Sequence, residues 1–281
     1  MLNIKTYPSN DTLEGLCRME RDIVFSTATG TELKLQLVLP EVTETTPLFP
    51  LIVFVQGSAW TFPDVDHKLP MMSVFARAGI AVASVTHRSS LDGHPFPAFL
   101  QDVKTAIRFL RANAEKWYLD PERVGIWGTS SGGNAALLCG VTGDFPAYKT
   151  GEYAEESDAV KAVADCFGPS DMLIMHEITP EDSDLGKIAM QVLATDDPMK
   201  AAKEISPINW VEPGRKYPPF LLLHGDADPV VPFEQSVAMA EKLLSCGAEA
   251  SLIRVEGGVH ERNFWNPAIY DEILDFFKRT L

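Results

Sequence analysis

The chain has 281 residues, 46% of them hydrophobic, enough to bury a sizeable core in one α/β domain spanning residues 1–281. Its formal net charge of -15, with no run of basic residues, argues against a nucleic acid or an anionic membrane surface as partner. Residues 1–10 carry Lys5, Pro8 and several polar side chains where an export signal would be continuously apolar, and the longest apolar runs are only strand-sized, so a soluble cytoplasmic protein is expected.

Residues 1–22 carry no pattern that assigns them a role, and are expected either to pack on a neighbouring subunit of a homo-oligomer or to be disordered. Leu33, Leu35, Leu37 and Leu39 then alternate with Lys34, Gln36 and Val38, the period-two pattern of an early antiparallel strand covered mainly on one face. The later runs 51–55, 80–85, 124–127, 162–166 and 220–223 are almost continuously apolar, as strands buried on both faces are. Between them, Phe99, Val103, Ala106, Ile107, Leu110, Ala114 and Trp117 form one helical stripe. Phe233, Val237, Ala240 and Leu244 form a second, and Ile269, Ile273, Phe276 and Phe277 a third near the C-terminus. Strands alternating with helices predict an α/β fold with a mostly parallel, doubly wound sheet.

Residues 168–219 are too long for a simple crossover between two core strands. About 170–216 reads as a helical insertion, and its Met172, Met175, Met190 and Met199 fit either ordinary packing or an adaptable cap over a pocket. Cys17, Cys139, Cys166 and Cys246 are scattered without metal-ligand spacing, so four reduced buried thiols are expected. Asp64, Asp66 and His67 read as a solvated polar loop; neither metal nor cofactor is expected.

The sharpest signal is Gly128-Thr129-Ser130-Ser131-Gly132-Gly133, directly after a strand and directly before the helix-forming Asn134-Ala135-Ala136-Leu137-Leu138. A G-x-S-x-G in that context is a nucleophile elbow: a side chain at Gly128 or Gly132 would strike neighbouring backbone, while Ser130 exposes its hydroxyl from a strained turn. Ser131 is the rival hydroxyl, but the glycine spacing puts Ser130 at the apex and leaves Ser131 to contribute its backbone N–H. A serine needs a base, and the base needs an acid that orients it and supports its charge. The loop after residues 220–223 offers Asp226 and Asp228; Asp228 is preferred because it lies deeper in the loop and precedes Pro229 and the apolar Val230-Val231. Of six histidines, only His260 lies in a glycine-flanked loop after the strand at 250–255, whereas His224 reads as structural. Donors for a tetrahedral oxyanion are sought in Gln56-Gly57-Ser58-Ala59-Trp60.

These motifs, with Phe96-Pro97-Ala98, Gln101-Asp102-Val103, Asp120-Pro121-Glu122-Arg123-Val124 and Phe167-Gly168-Pro169, resemble the α/β-hydrolase superfamily near the bacterial feruloyl-esterase/acetyl-esterase group and the hormone-sensitive-lipase-like esterases. The resemblance runs from about Val24 to the C-terminus. It implies a Ser130, Asp228, His260 triad, an oxyanion hole of Ser58, Ala59 and Ser131 amides, no cofactor, and a small-molecule ester substrate with a short acyl or aromatic group, sugar esters among them. Two departures stand out: the family's His-Gly-Gly-Gly-Trp loop is Gln56-Gly57-Ser58-Ala59-Trp60 here, and its Gly-Asp-Ser-Ala-Gly elbow is Gly128-Thr129-Ser130-Ser131-Gly132. The same constellation serves amide hydrolysis, as in an arylformamidase or small-peptide hydrolase. A ligand-binding protein on a retired hydrolase scaffold is the third expectation, disfavoured because all three triad residues are retained.

Overall fold

The structure is a computed structural model that describes residues 2–43, 46–178, 180 and 182–281, the side chains of 176–178 excepted. Eight strands form one sheet: β1 (Cys17–Ser26), β2 (Leu33–Pro40), β3 (Phe49–Val55), β4 (Ala81–Val85), β5 (Leu119–Thr129), β6 (Val163–Cys166), β7 (Phe220–Gly225) and β8 (Ala250–Val255). Their order is β1-β2-β4-β3-β5-β6-β7-β8; β2 runs antiparallel to both neighbours and every other pairing is parallel. From β3 the chain passes to β4 on one side and then to β5 on the other. The carboxyl ends of β3 and β5 therefore flank the switch point at which such sheets bind ligands.

Both faces of the sheet are covered, which is why its strands read as unbroken apolar runs. Leu51, Val53 and Val55 of β3 join one core with α2 (Ala98–Ala112), α3 (Ser131–Val141) and α7 (Glu234–Ser245). Ile52 and Phe54 join the other with α1 (Leu69–Arg77) and α8 (Pro267–Thr280). The third stripe is borne out, since Ile269, Ile273, Phe276 and Phe277 are all buried, and Asn266 caps α8 by accepting the Ile269 N–H with Pro267 in the first turn. Between β6 and β7 lie α4 (Met172–Ile178), α5 (Asp184–Val192) and α6 (Pro198–Glu204). Among the described residues no helix is long and apolar enough to cross a membrane.

Several expectations are corrected. Residues 17–26 form the edge strand β1, where Asp22 sits at φ 55° in a register shift, its N–H donating to Gln36 Oε1 at 2.9 Å. Gln36 Nε2 donates back to Asp22 Oδ1 at 3.1 Å, so the amide is satisfied while buried and β2 is covered on both faces. The first helical stripe is buried throughout, but the α-helix ends at Asn113 and Ala114 and Trp117 continue it in a 3₁₀ turn. On α7 the buried face is Gln235, Ser236, Met239, Ala240 and Leu243, with Leu244 exposed, because the two polar residues have inward partners: Gln235 Oε1 accepts the Ser170 and Asp171 N–H groups, and Ser236 meets His224. Of the thiols, Cys139 and Cys166 are buried but Cys17 and Cys246 only half-buried. The solvated loop is as expected, with Asp64, Asp66 and His67 all exposed and Asp66 in an exposed pair with Arg21 at 3.0 Å.

The opposite side of α2 is also covered. Lys104 and Arg108 are fully buried, and both pair with the buried Asp158, Arg108 at 3.0 Å, while Lys104 Nζ also donates to Thr142 O at 2.7 Å. Asp158→Ala leaves two buried cations without their carboxylate and is expected to cost about 3–5 kcal/mol, read as a lowered urea midpoint. An unchanged midpoint would contradict that account of the cluster.

Candidate active site

β5 ends at Thr129 and α3 begins at Ser131, leaving Ser130 alone in the turn at φ 52° and ψ -124°. Its N–H donates to Cys166 O on β6 at 2.9 Å. The glycines around it are a steric requirement: a Cβ on Gly128 would lie 2.0 Å from Gly132 O, one on Gly132 2.1 Å from Val55 O, and one on Gly57 2.7 Å from Ser130 Cβ. Behind the turn, the carboxyl of Asp165 is pushed up to about 7 by burial, against the pull of His224 and of the Gly168 N–H that it accepts.

Ser130 Oγ lies 3.0 Å from His260 Nε2, and His260 Nδ1 lies 2.7 Å from Asp228 Oδ2. The three residues come from the carboxyl ends of β5, β7 and β8, so the sheet itself brings them together. Burial would raise the Asp228 carboxyl, but donors from His224 and His260, the His260 charge and the Val230 N–H together hold it well below the usual carboxylate range. An ionised Asp228 accepts from Nδ1–H, which leaves Nε2 of neutral His260 free to accept the Ser130 proton. The Phe167 ring meets the imidazole in an edge-type contact, with ring centres 4.8 Å apart. Asp226, the alternative acid, instead accepts the Gly257 N–H at 2.7 Å and lies 3.6 Å from Arg254.

The loop after β3 is more selective than the motif suggested. Ser58 N–H donates to Ser131 Oγ at 2.9 Å, so that amide is already engaged. Among the described residues no acceptor bonds the N–H of Ala59, nor that of Ser131, which as the first residue of α3 has no intrahelical partner. Ala59 and Trp60 both sit in the left-handed region, at φ 52° and 58°, and at Ala59 the glycine of the family pattern would be unstrained.

Two features had no signal in the sequence. His224 Nε2 donates to Val231 O at 2.9 Å and lies 3.4 Å from Asp228 Oδ2, with Ser236 Oγ 2.7 Å from its Nδ1; the acid is flanked by two imidazoles. Glu261, next to His260, accepts from Lys68 Nζ at 3.0 Å and from Trp265 Nε1, and Lys68 Nζ stands 4.1 Å from the centre of the Trp265 ring. This cluster ties the His260 loop to the segment before α1.

The BD-FAE family matches residues 35–243, about three quarters of the chain. The chain belongs to the BD-FAE family. Its fold is the α/β-hydrolase fold. Among curated relatives of this BD-FAE protein, Esterase LipC of Mycobacterium tuberculosis is 31% identical over 218 residues, covering 75% of the chain and 52% of LipC. Esterase LipQ of the same organism is 33% identical over 205 residues, covering 71% and 47%. The chain thus spans about half the length of the curated relatives it matches. Among solved structures, a truncated form of a carbohydrate esterase from gut microbiota superposes with a TM-score of 0.80 at 32% identity, covering 97% of this chain and 98% of that one.

The depressed carboxyl makes a prediction about pH. A carboxylate whose folded pKa lies below its unfolded value of about 3.9 contributes stability in full above that value and loses it as pH falls towards the folded pKa. Wild type is therefore expected to exceed Asp228→Asn in urea midpoint at pH 7, with the gap shrinking steadily below about pH 4. A gap that stays constant or widens on acidification would contradict an ionised Asp228.

Proposed function

We propose that this protein is a serine carboxylesterase in which Ser130 is the nucleophile, His260 the base and Asp228 the orienting acid. The observation that carries the reading is the unbroken chain from Ser130 Oγ through His260 to the buried Asp228, at 3.0 and 2.7 Å. The names of LipC, LipQ and the carbohydrate esterase support an ester substrate, and the last supports an ester of a sugar.

Ser130 Oγ attacks the ester carbonyl carbon while its proton passes to His260 Nε2. The carbonyl oxygen becomes an oxyanion facing the free N–H groups of Ala59 and Ser131, and each such donor is typically worth about 3–4 kcal/mol to the transition state. The Ser58 N–H, held by Ser131 Oγ, fixes the loop instead of serving as a third donor. When the intermediate collapses, the bond to the alcohol oxygen breaks and Nε2–H returns its proton to that oxygen. Water then attacks the acyl-Ser130, gives its proton to Nε2, and the carboxylic acid leaves as Ser130 recovers its hydrogen. Asp228 remains ionised throughout and stabilises the imidazolium. The insertion at about 170–216 serves as a cap on the pocket.

Ser130→Ala and His260→Ala are expected to lower p-nitrophenyl acetate turnover by at least about 10³-fold with the fold intact, and Asp228→Asn by about 10⁴-fold. Ser130→Ala retaining most of the wild-type rate would overturn the assignment. Running anilide substrates beside the esters separates an ester hydrolase from an amide hydrolase.

A further inference from the structure

The turn that carries the Ala59 N–H is built against the preferences of its own residues. Thr61 N–H donates to Ser58 O at 3.1 Å, so residues 58–61 close a four-residue turn whose central residues, Ala59 and Trp60, both have positive φ. That is the sign pattern of a type I′ turn, which glycine, asparagine and aspartate dominate because a Cβ is crowded there. An Ala-Trp pair does not favour it, and holds it only if the surroundings oblige it to.

One movement would relieve Ala59. A peptide plane is rigid, so turning over the plane between Ser58 and Ala59 changes chiefly ψ of Ser58 and φ of Ala59, and returns the latter to negative values. That plane bears the Ser58 carbonyl on one side and the Ala59 N–H on the other, so the same movement reverses the N–H. The amide concerned lies beside the nucleophile, since Ala59 and Ser130 line the same two cavities.

Side-chain hydroxyls oppose the reversal. Ser58 O accepts from Thr61 Oγ1 at 2.7 Å in addition to the Thr61 N–H, and both bonds would break if the plane turned over. Ser58 Oγ donates to Thr61 O at 2.6 Å, and Ser131 Oγ accepts the Ser58 N–H at 2.9 Å. Ser58 and Ser131 stand where the family pattern has glycine and alanine, so the two departures meet in one hydrogen bond. Beyond the turn, Trp60 is fixed by Asn134 Oδ1, which accepts its ring N–H at 3.2 Å, and by the Ser90 N–H, which donates to its carbonyl at 3.0 Å.

Given the catalytic roles proposed above, on which this inference rests, we infer that Thr61 is a positioning residue of the oxyanion hole. Its hydroxyl grips the Ser58 carbonyl and so keeps the Ala59 N–H turned to the oxyanion, while the Ser131 hydroxyl holds Ser58 from its N–H side. Thr61 lines neither cavity, so it acts through this peptide and not on the substrate. Acylation and deacylation both pass through an oxyanion, so the effect falls on kcat.

Thr61→Val keeps the shape and backbone N–H of threonine and removes the hydroxyl. It is expected to lower kcat for p-nitrophenyl acetate about tenfold, less than the roughly 10²–10³ that follows loss of a whole donor, with KM within twofold of wild type. Inhibition by a trifluoromethyl ketone, whose adduct on Ser130 carries an oxyanion, is expected to weaken by a similar factor. Thr61→Ser, which restores the hydroxyl, is expected to return both quantities to within twofold of wild type. A folded Thr61→Val enzyme with wild-type kcat, a loss confined to KM, or a Thr61→Ser enzyme as impaired as Thr61→Val would overturn the inference while leaving Ser130 as nucleophile. Should Thr61→Val not fold, Ser131→Ala carries the test, because it removes the hydroxyl on the Ser58 N–H and keeps its own N–H. A lower kcat at unchanged KM is then expected, and an unchanged kcat would overturn the inference. Turnover of p-nitrophenyl acetate that is the same in wild type and Ser130→Ala would instead sink the esterase reading itself.

Discussion

Ser130 is held at φ 52° and ψ -124°, a region that costs a residue with a side chain about 1–3 kcal/mol, and the rest of the site is arranged around keeping it there. Three backbones close in where no Cβ exists, at Gly57, Gly128 and Gly132. The Ser130 N–H is anchored on β6, and Ser131 Oγ in turn anchors the loop after β3 through the Ser58 N–H. The strain is therefore offset by contacts from three neighbouring strand ends. Its result is a hydroxyl raised above the helix N-terminus, with the Ser131 N–H unspent beside it.

Electrostatics completes what the turn begins. In a strongly acidic protein the buried Asp228 is kept ionised locally: Oδ1 accepts the Val230 and Val231 N–H groups, Oδ2 accepts from His260, and the second imidazole of His224 lies beside it. His224 is itself fixed by Val231 O and by Ser236. That chain of contacts gives α7 its polar inner face, so a helix that packs the fold also orients the acid. On the other flank, Lys68, Glu261 and Trp265 hold the segment that follows His260.

Much of this was legible in the sequence because the controlling signals are steric and local. The elbow glycines announce the turn, unbroken apolar runs announce a sheet covered on both faces, and glycine-flanked His260 announces a loop at a strand end. Other parts depend on partners distant in the chain. β1 was hidden because the register shift at Asp22 breaks its alternation, and Gln36 read as a solvent-facing residue because its partner is Asp22. Lys104 and Arg108 lie on the side of α2 that periodicity assigns to water, and only Asp158, about fifty residues on, makes their burial tolerable. The second helical stripe was misphased on α7 for the same reason: Gln235 and Ser236 are polar by composition but inward by hydrogen bonding. The commitment of the Ser58 amide to a serine hydroxyl 73 positions away has no trace in the motif itself.

Sheet, turn and insertion together divide the labour: the ends of β5, β7 and β8 bring Ser130, Asp228 and His260 together, the elbow sets the geometry of Ser130, and residues of the helices between β6 and β7 line a pocket beside its hydroxyl. The central claim is that this geometry makes Ser130 uniquely nucleophilic among the serines of the chain. Treating the folded protein with a fluorophosphonate and mapping the modified peptide by mass spectrometry tests it most directly. A single adduct on Ser130, absent when His260 is replaced by alanine, is the result expected. No adduct, or an adduct on Ser131 or elsewhere with Ser130 unmodified, would contradict it.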